Sequence, residues 1–235
     1  MTAGRIVRPV DAAGLILLRG RRDAPEILLG RRHAKTPFLP DIYVVPGGRV
    51  DPCDHLPSGF RERLHPSVEK ALGNGRRPPV AFLRAALREL HEETGLILAG
   101  GGSGRPGDAP VWQAYGRAGG APDFGALDFV LRAITPVGSH RRYNTRFFLG
   151  DGGNAIGDIG GDGELLDLRW WKVEELDRLN IVDVTWALIR LALARWQARV
   201  PVGREPAKLL VYRKDSLVLR EPGRPRRRAK ATARA

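Results

Sequence analysis

Residues 80–96, Val80-Ala81-Phe82-Leu83-Arg84-Ala85-Ala86-Leu87-Arg88-Glu89-Leu90-His91-Glu92-Glu93-Thr94-Gly95-Leu96, decide how the chain is read. Ala81, Leu83, Ala85, Ala86, Leu87 and Leu90 predict a helix over 80–94, and Gly95 stands where a helix usually stops. Glu89, Glu92 and Glu93 fall at i, i+3 and i+4, so three carboxylates project from one helical face. Like charges that close repel unless a cation offsets them, and Arg88, one turn before Glu92, cannot neutralise all three. An all-oxygen cluster suits the hard cations Mg²⁺ or Mn²⁺, which accept carboxylate, water and phosphate oxygens. Taken alone, the same spacing also describes a solvated helix face, since Glu is a good helix former.

Upstream of the helix, Ile42-Tyr43-Val44-Val45-Pro46-Gly47-Gly48 predicts a strand broken at Pro46, with a tight loop at Gly47 and Gly48. Ala12 to Arg19 and Pro25 to Arg31 predict two paired strands around a polar turn. Residues 52–79 mix proline, glycine and charge without a period, and only Pro66 to Leu72 offers a helical turn or two. Downstream, residues 99–124 are glycine-rich and read as loop, Ala126 to Ile134 and Thr145 to Leu149 as strands, and 150–163 as a Gly/Asp-rich loop. Leu165 to Trp171 reads as a further strand, Val173 to Leu179 as a short helix, and Val182 to Arg199 as a longer one with Trp186, Ile189, Leu193 and Trp196 at helical spacing. Strands and helices alternate without an internal repeat, which predicts one α/β layered domain with a mixed sheet over residues 1–212.

At 235 residues and 43% hydrophobic content the chain can bury a substantial core. No run approaches the length needed to cross a bilayer. Arg5 and Arg8 ahead of Gly14 to Leu18 imitate a signal peptide only faintly, so that run is expected to be the first strand. The single cysteine, Cys53, excludes an intramolecular disulfide framework and fits a reducing compartment, so a cytoplasmic location is expected. The net charge of +13 is concentrated at the end, where Arg224, Arg226, Arg227, Arg228, Lys230 and Arg234 meet no acid. Residues 213–235 are therefore expected to form a basic tail that buries no apolar surface. That tail is the only support for a nucleic-acid partner as against a small molecule. The tryptophans suit core or subunit-interface positions, which leaves a homodimer open.

The nine residues Arg88 to Leu96 match the second half of the Nudix box, R-E-U-x-E-E-x-G-U with U aliphatic, at every specified position. At average residue frequencies a chance match in such a chain is on the order of 1 in 10⁵. The sequence thus resembles the Nudix hydrolase family, and Pro46-Gly47-Gly48-Arg49-Val50 is similar to the glycine-rich start of the box. The resemblance implies an α/β/α sandwich in which Glu89, Glu92 and Glu93 hold one or more Mg²⁺ or Mn²⁺ ions and Arg88 orients them. It also implies hydrolysis of the pyrophosphate in a nucleoside diphosphate derivative. The family pattern places the arginine fourteen positions after the glycine, whereas Gly48 to Arg88 is forty, so about twenty-six residues split the box. Val80 stands where the pattern has a glutamate, and Asp51 and Asp54 are nearby acids without an assigned place.

The split box, Gly30-Arg31-Arg32-His33 followed by Phe38 and Pro40, Asn144 to Phe148, and Gly161-Asp162-Gly163-Glu164-Leu165 are together similar to the acyl-CoA diphosphatase-like branch. That likeness implies coenzyme A or an acyl derivative, cut into a phosphopantetheine half and an adenosine bisphosphate half. ADP-ribose or nucleotide sugars, an RNA 5′ end, and a noncatalytic ligand-sensing role are the alternatives; three intact glutamates argue against the last. The general base is either a box glutamate or Glu164. Arg31, Arg32 and Arg146 are candidates for substrate phosphates, because guanidinium offers paired donors to them, and Gly47 and Gly48 are expected beside the substrate.

Overall fold

In the computed structural model, residues 7–73, 77–213 and 216–221 are described. Strand β1 (Val10–Gly20) runs through the middle of the sheet, and from Ala12 to Leu18 every residue is buried. A strand covered on both faces needs an unbroken apolar run, which GLILL supplies. Its alternation sends Leu15 and Leu17 into one core and Ile16 and Leu18 into the other. β2 (Pro25–Arg32) pairs antiparallel with β1 only over its last three residues, Leu18 to Gly20.

The two strands then part, and the chain that follows fills the gap. β3 (Tyr43–Val44) pairs with the far end of β2, and β4 (Gly47–Arg49) pairs with Ala12 to Gly14 of β1. Gly47 and Gly48 are therefore strand residues and not the tight loop expected. Pro46 supplies the break: it has no N–H for a ladder, while its carbonyl accepts from Leu15 N at 2.9 Å.

α1 (Pro66–Leu72) lies within the inserted segment, where a helical turn or two was expected, and buries Val68. α2 (Pro79–Thr94) follows, stopped by Gly95 at φ 74°. β5 (Ile97–Leu98) forms a small separate sheet with β8 (Ala155–Ile156). Between them, α3 (Pro110–Arg117) occupies a stretch that reads as loop. Glycine density hides it in the sequence; Val111, Trp112 and Tyr115 bury one face in the first core, and the Tyr115 hydroxyl bonds the backbone of Leu98 at 3.1 Å. β6 (Asp128–Ile134) and β7 (Tyr143–Asp151) pair antiparallel, and β7 runs parallel to β1. β9 (Leu165–Lys172) pairs with β2, and α4 (Asp183–Gln197) covers the opposite face of the sheet from α2.

β10 (Lys208–Arg213) and β11 (Ser216–Arg220) complete a mixed sheet in the order β11-β10-β6-β7-β1-β2-β3. The domain edge expected at residue 212 falls inside this hairpin, because the LLVY and SLVL runs pair with each other and the first of them also pairs with β6. The basic stretch 222–235 lies outside the described residues, and no helix among the described residues is long and apolar enough to cross a membrane. The result is an α/β/α arrangement with one core under α2 and α3 and a second under α4.

A buried ion pair fastens α4 to the sheet. Arg195 donates to Asp128 on β6 and to the carbonyls of Phe129 at 3.2 Å and Pro206 at 3.0 Å, just ahead of β10. Removing one partner leaves a buried charge uncompensated, so Arg195→Met is expected to lower stability by about 3–5 kcal/mol, read as a shift in the chemical-denaturation midpoint.

Candidate active site

α2 lies across β4 with its glutamates facing the strand, and two residues without side chains make this possible. The Glu89 carboxylate occupies the space that a Cβ on Gly48 would fill. The Gly47 N–H donates to Glu93 Oε2 at 2.8 Å, while a Cβ on Gly47 would meet Ala13 O and Gly14 Cα at 2.6 Å. Pro46-Gly47-Gly48 thus allows a helix to approach a strand through its carboxylates.

Arg88, 7% exposed, is the hub of the cluster. Its Nε and Nη2 donate to the two oxygens of Asp54, each at 3.0 Å, and Nη2 also reaches Arg49 O at 3.0 Å. Its Nη1 meets Glu92 at 2.7 Å and Glu89 at 3.0 Å. Asp54 sits in a 3-10 turn, Pro52–His55, inside the insertion, and is buried. One turn earlier on α2, Arg84 ion-pairs with Glu62 and donates to Asp54 O at 3.1 Å. The insertion is therefore joined to the carboxylate helix through two arginines.

The charges are poorly matched further along. Glu93 is 3% exposed, and among the described residues no Lys or Arg ion-pairs with it. Burial raises its pKa well above the ordinary 4.5, the Glu89 charge adds to this, and the Gly47 N–H opposes it. Glu164 raises it further and Arg32 offsets part of the effect, so both bear on the same carboxyl. Burial pushes Glu89 up to about 7 against the attraction of Arg88. Burial alone would lower the Arg88 guanidinium, but Asp54, Glu89 and Glu92 overcome this and hold it above its usual range. A buried carboxylate pair in which Arg88 meets Glu89 and, among the described residues, no guanidinium meets Glu93 has the charge and oxygen chemistry of a divalent-cation site. Among the described residues no three or more His, Cys, Asp or Glu side chains already converge as a cage. Glu89 and Glu93 are the two that could hold a cation, with Glu92 half exposed on the Arg88 side.

The sequence candidates separate. Arg32 donates to Glu164 at 3.4 Å, and its buried Nε has no partner among the described residues. Glu164 is brought there because the preceding loop wraps the end of α2: Gly160 N donates to Thr94 O at 2.9 Å and Asp162 N to Glu92 O at 3.0 Å. Arg31 is instead engaged with Asp41 at 2.6 Å beside Tyr43, and is not among the charges acting on Glu93. Arg146 lies near the start of α2, stacked over Phe82 at 4.0 Å and bonded to Asp11 at 2.5 Å. Gly47 and Gly48 seat the glutamates. Asp54 was left unplaced by the sequence, where only its nearness to the glycines marked it. With Arg88 keeping its other acceptors, Asp54→Ala is expected to cost about 3 kcal/mol, measured as a lowered denaturation midpoint.

Comparison with known proteins follows the same lines. The family model for the NUDIX domain matches residues 8–191. An acyl-coenzyme A diphosphatase of Gallus gallus is 29% identical over a match covering 59% of this chain and 54% of that protein. The chain thus spans about half the length of this curated relative. The crystal structure of a NUDIX hydrolase from Alicyclobacillus acidocaldarius superposes with a TM-score of 0.60 at 27% identity, covering 83% of this chain and 95% of that one.

Proposed function

Because this chain belongs to the Nudix hydrolase family, we propose that it is a divalent-metal-dependent diphosphatase cleaving the pyrophosphate of a nucleoside diphosphate derivative, with coenzyme A or an acyl-coenzyme A first. The observation that carries the reading is Glu93, a buried carboxylate that among the described residues is paired only with a backbone N–H, set beside the raised carboxyl of Glu89. The likeness to the acyl-coenzyme A diphosphatase supports the choice of substrate. Glu89 and Glu93, together with Glu92, would hold a Mg²⁺ or Mn²⁺ ion, which would supply charge neutralisation at phosphate and lower the pKa of a water.

The side chains divide the remaining work. Arg88 holds Glu89 and Glu92 in register and keeps their charge from forcing the helix off the strand. Arg32 offers its unpartnered Nε to a phosphate oxygen, a charge-assisted contact that strengthens as negative charge builds up. Glu164, half exposed beside Arg32, accepts the proton of the attacking water.

Two experiments test this. In a Mg²⁺ or Mn²⁺ hydrolysis panel of coenzyme A, acyl-coenzyme A, ADP-ribose and 5′-triphosphate RNA, a coenzyme A compound is expected to be the best substrate. Glu93→Gln is expected to lower its kcat by on the order of 10²–10³-fold. RNA turnover lost on deleting residues 222–235 would move the assignment to RNA ends. The second test uses pH. Glu89 has a folded pKa of about 7 against an ordinary 4.5, so without metal its protonated form favours the fold, and that stability is lost as pH rises from 4.5 through 7. A cation binds the ionised form, so the rise in Tm on adding Mg²⁺ is expected to grow as pH passes from 6 to 8. A Tm increment independent of pH would remove Glu89 from the metal site.

A further inference from the structure

Beside Phe82 in the first half of α2, about 10 Å along the helix axis from Glu89 at the helical rise per residue, lies a second charged cluster that the reaction does not use. Arg146 on β7 and Arg132 on β6 face each other directly across the antiparallel pair. Arg77, just ahead of α2, comes in from the insertion. Two of these arginines, Arg146 and Arg77, share one carboxylate. Asp11 Oδ1 accepts from Arg146 at 2.5 Å and from Asn144 at 3.0 Å, and its Oδ2 accepts from Arg77 at 3.2 Å. Arg132 donates to Asn144 Oδ1 at 2.8 Å and, among the described residues, pairs with no acid.

Like charges directly opposite one another on neighbouring strands are destabilising, and here a third joins them. Burial lowers the Arg146 pKa; Asp11 opposes this, while Arg132 and Arg77 lower it further. The first turn of α2 carries no acid and presents the positive end of the helix dipole to the same spot. Asp11, with both oxygens occupied, leaves the cluster short of negative charge. Arg77, Arg132 and Asn144 are only partly buried, so the deficit faces solvent.

We propose that Arg77, Arg132 and Arg146 form a second anion subsite that receives a phosphate monoester on the ribose of the substrate. This rests on the diphosphatase reading and deepens it: the helix carries the carboxylates for the pyrophosphate's cation towards one end and lies against a partly exposed arginine cluster towards the other. A ribose phosphorylated on two carbons, with the reach of a guanidinium, bridges such a spacing. The subsite selects for a 3′-phosphorylated nucleotide such as coenzyme A over compounds with an unmodified ribose, and it gives Arg146 and the end of the insertion a role that the catalytic cluster does not.

The test compares coenzyme A with its 3′-dephospho form, which differ only in that phosphate. The protein is expected to prefer coenzyme A in kcat/KM by about tenfold or more, the scale of one charge-assisted phosphate contact. Arg132→Met and Arg77→Met should each bring the ratio towards one, chiefly through KM. Equal efficiency on the two compounds, or a ratio that survives both substitutions, overturns the subsite while leaving the diphosphatase reading intact. If neither compound is hydrolysed, that reading fails and thermal shift decides the subsite. A larger Tm increase with adenosine 3′,5′-bisphosphate than with adenosine 5′-monophosphate, abolished in Arg132→Met, upholds it; equal increases overturn it.

Discussion

The contact between α2 and β4 sets the conditions for everything around it. Glu89 and Glu93 are pressed against Gly48 and Gly47, so two carboxylates lose water without gaining an equal number of cations. Such an arrangement survives in a fold only if other groups hold it together, because each buried charge disfavours the packing that creates it. Here the apolar face of the same helix does that work, with Leu83, Ala86, Leu87 and Leu90 in the first core against β1. The helix is fastened by its hydrophobic side and leaves its carboxylates exposed to electrostatic imbalance rather than to solvent.

Arg88 is the second restraint, and it explains why the insertion can interrupt the motif without disabling it. Asp54 returns from the insertion to take two of the guanidinium donors, and Glu62 does the same for Arg84. A segment that looked like an excursion from the helix is thereby tied to its polar side. The remaining donor of Arg88 goes to Glu89 and Glu92, so one side chain joins strand, insertion and helix.

Much of this was legible in the sequence because it depends on local geometry. The three glutamates share a face through helical periodicity, Gly95 ends the helix in a left-handed conformation, and GLILL reads as a buried strand. What escaped was long-range. α3 hides among glycines because tertiary burial of Val111, Trp112 and Tyr115 outweighs local propensity. β10 and β11 were passed over beside a strongly basic stretch, although their pairing brings 216–220 into the sheet. Arg31 and Arg32 are indistinguishable as residue types, yet adjacent strand positions point to opposite faces, and only Arg32 bears on Glu93.

By itself, then, the sequence determined the carboxylate helix and a layered α/β fold with a mixed sheet, since each follows from spacing along a few turns of chain, whereas the seating of Glu89 and Glu93 on Gly48 and Gly47 came from the tertiary structure. The tertiary structure decided which acid meets Arg88, which arginine stands near Glu93, and that Arg77 and Arg146 converge on Asp11 while Arg132 joins them through Asn144. Those pairings join residues tens of positions apart. They are settled by where β1 and β2 part and β4 fills the gap, a matter of packing between strands that no local period records.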